Sequence, residues 1–168
     1  MAAGLSVPFA RARYRVRQFT RGLRPRLAPG EIAEARGRLS AAEFRLFLNA
    51  QARDRRHSMD LYRLLQRDGA SDAMLVAALL HDVGKGRIAT WHRVAFVLLG
   101  PLNAVLAGQS GPRWRRALWR LRHHARLSAE MLRRVGSSSR VVEIVERHTR
   151  AGSTDPEVEA FIRADESV

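Results

Sequence analysis

The sequence Ala77-Ala-Leu-Leu-His-Asp-Val-Gly-Lys-Gly86 joins an apolar helical run to an adjacent histidine and aspartate, which are followed by a glycine turn and a lysine. Adjacent side chains on a helix point about 100° apart. At the last turn of a helix the backbone relaxes, so His81 and Asp82 are both able to bind one metal ion. The alternative interpretation is a polar C-cap at the end of a buried helix. The metal-site interpretation requires further metal ligands elsewhere in the chain, whereas the C-cap interpretation requires none.

Four further side chains of ligand type stand outside this stretch: His57, His124, His148 and Asp165. Their order along the chain resembles the order of metal ligands in the HD-domain superfamily of metal-dependent phosphohydrolases. The sequences around these residues are similar as well, and the resemblance covers roughly residues 40 to 166. One difference is Ser128, at a position where the superfamily often has glycine.

The resemblance implies an all-α fold, namely an HD-domain-like helical bundle, together with a set of metal ligands. The implied core of the site consists of His57, His81, Asp82 and Asp165. Asp82 could bridge two ions, in which case His124 and His148 would complete the second ion. With a single ion, His124 and His148 would instead contact the phosphate or act as a general acid. Imidazole and carboxylate ligands together favour Fe, Mn, Zn, Co or Ni, as one or two ions.

The composition restricts the class of metal site. With 168 residues and 46% hydrophobic content, the chain is long enough for one domain with a buried core. It contains no cysteine, which excludes disulfides and thiolate ligands, so any metal ion must be held by His, Asp or Glu. The longest apolar run, residues 94–106, is too short to span a bilayer, which needs about 20 residues.

The chain is strongly basic, with a formal net charge of +14 at pH 7. Such a chain favours phosphate-rich partners: nucleotides, nucleic acid or an anionic membrane surface. Nearly all of the positive charge comes from arginine, because Lys85 is the only lysine. A lysine ammonium is a compact charge that fits close to a phosphate. We therefore predict that Lys85 and Arg87 bind the phosphate. The predicted catalytic residues are Lys85 and the predicted metal ligand Asp82.

Residues 1–28 form a basic leader without an acidic residue. Its apolar residues recur at helical spacing, and arginines occupy the other faces, which predicts an amphipathic helix. One interpretation is docking on an anionic membrane or on nucleic acid. The other is a helix that packs against the domain and leaves its arginines in solvent. Arg24-Pro25 and Pro29-Gly30 are interpreted as the end of this segment and as a linker. The predicted domains are therefore the leader, 1–28, and an HD-type phosphohydrolase domain, 29–168.

The rest of the sequence predicts a series of helices and no strand. Helix starts are predicted at the following capping residues: Ser40 with Glu43, Asp54, Ser71, Ser138 or Ser139, and Asp155. Residues 88–107 predict a long, kinked helix that turns apolar side chains inward: Trp91, Val94, Val97 and Leu98. A helix over residues 114–135 carries many arginines, and we expect most of them to be solvated.

The sequence therefore predicts a metal-dependent phosphohydrolase that uses metal-activated water to cleave a phosphate ester or anhydride of a small nucleotide. One alternative is a dinucleoside-polyphosphate hydrolase with a dinuclear site, because the short sequence segments that contain His148 and Asp165 resemble those of that subfamily. An alternative of another class is a non-catalytic helical module that retains the metal site and docks on RNA or on a membrane. Arginines precede any apolar core of signal-peptide type, so we expect a cytoplasmic protein, with peripheral membrane association as the alternative.

Overall fold

The protein folds into α-helices joined by short turns. The computed structural model describes residues 26–150 and 152–168. Its helices are α1 (Pro29–Arg38), α2 (Ala41–Asn49), α3 (Ala52–Arg67), α4 (Asp72–Leu80), α5 (Thr90–Leu99), α6 (Asn103–Leu106), α7 (Arg113–Arg134), α8 (Ser139–Arg147) and α9 (Pro156–Ser167). The described ranges contain no strand, and the predicted all-α fold is confirmed. The predicted leader helix lies outside the described residues, except for its last three positions.

Local capping chemistry fixes most of the helix starts. Ser40 accepts a hydrogen bond from the Glu43 backbone N–H at 3.3 Å, and Glu43 Oε2 accepts one from the Ser40 N–H at 2.9 Å. This reciprocal pair is the predicted capping box. Ser71, Ser138 and Asp155 cap α4, α8 and α9 in the same general way, which confirms those predictions.

Two predictions about where helices begin and where a linker lies are wrong. Asp54 does not cap α3, because the helix begins three residues earlier, with Gln51 in the N-cap position. Asp54 is instead buried and pairs with Arg93 Nη2 at 2.7 Å. Pro29-Gly30 is not a linker but the start of α1. Proline suits the first turn of a helix, since its missing N–H would have no intrahelical partner there.

The core surrounds α4, which is apolar on all sides and almost entirely buried. This helix packs against α3 and α8. Its neighbours contribute large, fully buried side chains, among them Phe47, Leu61, Ile144 and Phe161. Because α4 ends at Leu80, the next two residues, His81 and Asp82, are delivered inside the bundle.

The segment 88–107 differs from its prediction. It breaks at Gly100, where φ is 48°, into α5, a 3-10 turn (Gly100–Leu102) and the short α6. The apolar side chains predicted to face inward are exposed: Trp91 by 59%, Val94 by 52%, Val97 by 48% and Leu98 by 79%. The inner side of α5 packs against one small apolar cluster, in which Phe96 of α5 contacts Ile88 and Leu121. A helix that is apolar nearly all round cannot bury every face against a single neighbour.

Within residues 26–150 and 152–168, no single helix is long and apolar enough to cross a membrane. The segments Asp72–Lys85 and Thr90–Leu106 reach the required length and composition together, but they are bent by 93° relative to each other.

Candidate metal centre

The six predicted metal ligands come from five elements and meet at one end of the bundle. His57 lies on α3, His124 on α7 and Asp165 on α9. His81 and Asp82 follow the end of α4, and His148 follows the end of α8. Three overlapping groups of these side chains have ligand atoms within 4.8 Å of one another: His57, His81 and Asp82; His81, His148 and Asp165; and Asp82, His124 and His148.

Asp165 connects the histidines of α3 and α4. Its Oδ1 accepts a hydrogen bond from His57 Nε2 at 2.8 Å and lies 3.5 Å from His81 Nε2. The rings of His57 and His81 are 5.3 Å apart in an edge-to-face arrangement. Phe161, one turn earlier on α9, packs against the His81 ring at 5.9 Å. An apolar wall therefore closes the cluster on the side of the core.

Asp82 lies at the centre of the cluster. Its Oδ2 is 2.5 Å from Lys85 Nζ and 3.4 Å from His81 Nε2, and its Oδ1 is 3.5 Å from His124 Nε2. The carboxylate is buried, whereas Lys85 is 19% exposed at the end of a 3-10 turn, Val83–Lys85. The lysine charge thus reaches the buried carboxylate from the solvent side.

Hydrogen bonds to the backbone fix the tautomer of three histidines. The Nδ1 atoms of His81, His124 and His148 lie 3.0, 2.7 and 2.6 Å from the carbonyl oxygens three residues earlier. A carbonyl oxygen only accepts hydrogen bonds, so each Nδ1 carries the proton and donates. When the ring is neutral, Nε2 then presents a lone pair toward the cluster. This is the arrangement that metal-binding histidines use.

Two buried atoms at the centre are left without a hydrogen bond. Among the described residues, neither His81 Nε2 nor Asp82 Oδ1 has a hydrogen-bond partner. A buried polar atom without a partner is costly, and Lys85, which contacts Oδ2, leaves Oδ1 of the same carboxylate unsatisfied. Lone pairs, two carboxylates and orphaned atoms converge on one point, so the donor set fits a divalent cation.

The pKa shifts divide the cluster into a first set, which is His81, Asp82 and Asp165, and a second set, which is His124 and His148. Burial opposes protonation of His81, but the carboxylates of Asp82 and Asp165 outweigh it and raise the pKa of His81 to about 9. Burial also raises the pKa of Asp82, but His81 and Lys85 reverse the effect, and the pKa lies well below its usual value. The pKa of Asp165 is lowered against burial by His81 and His57.

His124 and His148 form the second set. Burial, with the nearby charge of Lys85, lowers the pKa of His124 to about 4. Burial, with the neighbouring His81 and His124, lowers the pKa of His148 to about 3. Both rings are therefore neutral at pH 7, which is the form that binds a metal ion. The adjacent His123 lies outside the cluster and packs on Trp119 at 4.8 Å.

Sequence reasoning missed the role of Ser128. This fully buried hydroxyl donates to the His81 carbonyl at 2.6 Å and accepts from the Gly84 N–H at 2.9 Å. Arg120, also on α7, donates to the carbonyls of Gly84 and Lys85 at 3.1 and 3.3 Å. The turn that carries Asp82 and Lys85 is thereby fixed to α7. The signal in the sequence was a polar residue one turn after His124, on the buried side of its helix.

A pocket of about 460 Å³ opens beside the cluster. Its polar wall includes His57, Asp82, Lys85 and His124, and its apolar wall includes Val94, Val97 and Leu121 from α5 and α7. Three arginines also line it: Arg53, Arg56 and Arg93. Arg56 and Arg93 pair with acidic residues, whereas Arg53 forms no ion pair with an Asp or Glu of the described residues. Arg87 is exposed and does not line this pocket, and its predicted role in phosphate binding stays a prediction.

These features define a helical bundle with a buried His/Asp cluster that could hold divalent metal ions. The family model described as HD domain matches residues 54–166, which is more than half of the chain. The chain belongs to the HD domain family, a family of metal-dependent phosphohydrolases. No curated protein and no solved structure matches the chain significantly.

Proposed function

We propose that the protein is a metal-dependent phosphohydrolase that cleaves a phosphate ester or anhydride of a small nucleotide. The observation that carries this proposal is the junction of the His/Asp cluster with a pocket that contains cationic side chains. Lys85 and Arg53 line the pocket beside the cluster, and Lys85 contacts the cluster carboxylate Asp82. A phosphate bound between these cations would lie next to the metal ligands.

The residues that would hold one ion are His57, His81, Asp82 and Asp165. When bound, a divalent ion such as Mn or Fe supplies Lewis-acid chemistry, since it makes water more acidic and draws charge from phosphoryl oxygens. The buried carboxylates of Asp82 and Asp165 would balance the charge of the ion. Among these residues, His81 has its tautomer fixed by the Ala78 carbonyl, so its Nε2 would be the metal-binding atom once the ring is neutral.

The remaining groups would orient the substrate. Lys85 would neutralise the charge that develops on the non-bridging phosphoryl oxygens, because its ammonium already lies at the edge of the pocket. Arg53 would hold a second phosphate oxygen through its guanidinium fork. The apolar wall, with Val94, Val97 and Leu121, would receive the part of the substrate that carries no phosphate.

A dinuclear dinucleoside-polyphosphate hydrolase is the second candidate, and one observation favours it. Asp82, His124 and His148 form a ligand group of their own beside the one that contains His57 and His81. Asp82 belongs to both groups, and a carboxylate has two oxygens with which to bridge two ions. His124 and His148 are neutral at pH 7 and ready to bind.

Metal content and hydrolysis, measured on the same preparations, test the proposal. The purified protein is reconstituted with Mn or Fe, analysed for bound metal and assayed on nucleoside mono-, di- and triphosphates and on dinucleoside polyphosphates. We expect Asp82→Ala to lose both metal and hydrolysis. His124→Ala should lose one of two equivalents if the site is dinuclear, and none if it holds one ion.

His123→Ala is the matched control, because His123 has the same chemistry and lies on the same helix outside the cluster. It should retain both metal and activity. A reconstituted protein that binds metal but hydrolyses nothing in the panel would contradict the enzymatic proposal. That result, together with salt-sensitive RNA or vesicle binding that persists in His81→Ala, would favour the non-catalytic docking module.

A further inference from the structure

The middle of the chain has an unusual charge distribution. Between Asp82 and Glu130 the sequence contains no acidic residue, while it contains one lysine and eight arginines. This stretch includes α5, α6 and most of α7. Basic residues elsewhere in the fold often pair with carboxylates, as Arg56 does with Glu31. Within the stretch, Lys85, Arg93 and Arg126 pair with the carboxylates of Asp82, Asp54 and Glu130. The other six arginines form no ion pair with an Asp or Glu of the described residues, so the stretch carries an excess of positive charge.

The same stretch exposes large apolar side chains. We use the name α5–α6 face for the surface formed by Trp91, Val94, Val97, Leu98, Leu102 and Val105. Leu102 is 60% exposed and Val105 is 76% exposed. On α5, Trp91, Val94 and Leu98 are spaced by three, four and seven residues, and Val97 follows Val94 by three, so the four side chains lie on one side of the helix. No residue of α5 is buried. Contiguous exposed apolar surface of this kind marks an interaction site.

Arginines and a tryptophan border the α5–α6 face. The first turn of α7 lies against α6, where Arg115 Nε donates to the Leu106 carbonyl at 3.0 Å. Arg113 and Arg116 in that turn are exposed and form no ion pair with an acidic residue of the described chain. Trp114, between them, is 38% exposed. Tryptophan and arginine beside an aliphatic surface are the composition of protein segments that lie at a lipid–water interface.

We propose that the α5–α6 face docks on the surface of an anionic phospholipid bilayer. The aliphatic side chains would enter the boundary between headgroups and acyl chains, and the bordering arginines would meet the phosphates. The break at Gly100 suits this role, since α5 and the following turn present their apolar sides without forming a span. Val94, Val97 and Leu98 of this face also line the pocket beside the cluster, so the docked protein would hold the pocket next to the bilayer. The vesicle-binding tests below do not require hydrolase activity.

Charge and composition favour lipid over other occupants of the face. A second copy of the chain would bring one acid-free, arginine-rich surface against another, and like charges repel. The leader, residues 1–28, is also basic and without acidic residues, so it is repelled in the same way. Nucleic acid would attract the arginines, but most of its contacts with proteins are made through phosphate and sugar groups, which would leave the stripe of valine and leucine side chains uncovered. Anionic lipid matches both the charge and the apolar surface.

Vesicle sedimentation with the full-length protein tests the proposal. The probes are vesicles of phosphatidylcholine alone and of phosphatidylcholine mixed with phosphatidylglycerol. We expect salt-sensitive binding to the mixed vesicles and at least about tenfold weaker binding to the neutral ones. The double variant Leu102→Asp/Val105→Asp should lower the affinity for mixed vesicles by at least about tenfold. Neither residue lines the pocket or touches the metal cluster.

Leu48→Asp is the matched control, because Leu48 is 41% exposed on α2 and lies outside the acid-free stretch. It should bind vesicles like the wild type. Thermal unfolding of each variant shows whether the fold is retained. Equal vesicle affinity of the double variant and the control would overturn the proposal.

A second measurement separates the α5–α6 face from the leader as the docking element. A variant with Trp114→Phe and Trp119→Phe keeps Trp91 as its single tryptophan. On mixed vesicles, Trp91 emission should shift to the blue and be quenched by brominated lipid. Binding without any change at Trp91 would overturn the proposal and assign docking to the leader. Binding to RNA without binding to vesicles would overturn it as well.

Discussion

Replacing Gly84 with alanine should displace the turn that carries Asp82 and Lys85. A Cβ added at Gly84 would lie 2.5 Å from the Ser128 nitrogen, 2.6 Å from the His124 carbonyl oxygen and 2.8 Å from Ser128 Oγ. The first two are backbone atoms of α7, which cannot rotate away. Gly84 does not have a positive φ, so the conformational preference of alanine adds no strain. The effect is purely steric.

The size of the effect follows from these distances. Ordinary van der Waals contact begins near 3.4 Å, so the turn must move by about 1 Å. The Gly84 N–H to Ser128 Oγ hydrogen bond, now 2.9 Å long, would then be lost. Overpacking costs about 1–3 kcal/mol, and the lost hydrogen bond costs about 1 kcal/mol. We expect the free energy of unfolding to fall by about 2–4 kcal/mol.

The same movement should weaken metal binding. Metal–ligand distances tolerate shifts of about 0.2 Å. The displaced turn would move Asp82 relative to His124 by more than this amount. We expect at least about tenfold lower affinity for Mn, measured by isothermal titration calorimetry, beside urea unfolding. Gly37→Ala on α1 is the control, since a Cβ there meets nothing within 4 Å, and it should stabilise slightly. Wild-type stability and metal affinity in Gly84→Ala would refute the reasoning.

Three further predictions concern hydrogen bonds and protonation. Ser128→Ala should lower the free energy of unfolding by about 1–3 kcal/mol in urea, because it leaves the buried Gly84 N–H without a partner; unchanged stability would contradict this. Since the pKa of His81 is raised to about 9 and its proton must leave before a metal binds, metal affinity should rise about tenfold per pH unit between about pH 6 and pH 8. Competition titrations would show a flat profile if His81 were not a ligand. Arg140 lowers the pKa of Asp155 from 3.8 to about 2, so the stabilising effect of this pair is present above pH 3.8 and is lost as the pH falls through about 2. In thermal melting curves recorded from neutral to acid pH, Asp155→Asn should lower the melting temperature near neutral pH and remove this part of its pH dependence.

The parts of the fold that depend on local chemistry were predictable from the sequence. The caps at Ser40, Ser71 and Asp155 are recognisable because the capping side chain and its backbone partner lie within three residues of each other. The convergence of the ligands was implied by resemblance to a family. Periodicity alone would not have brought Asp165 to His57, which precedes it by 108 positions.

The errors concern what lies opposite a residue in space. The apolar stripe of α5 indicates a buried helix, because hydrophobic periodicity shows that a face is apolar but not what covers it. Asp54 has the side chain of an N-cap, yet its partner is Arg93 on a distant helix. Ser128 joins two parts of the chain more than forty positions apart, and a single sequence does not contain that pairing.

The position of Lys85 has a consequence for covalent modification. Because it is the only lysine in the sequence, acylation directed at lysine side chains can occur at no other position. The modified ammonium is the one that lies 2.5 Å from the buried Asp82 carboxylate. An acyl group would remove its charge and leave the carboxylate without its partner on the solvent side. The mass of the intact chain after lysine-selective acylation would therefore show whether the positive charge beside Asp82 in the candidate metal centre has been removed.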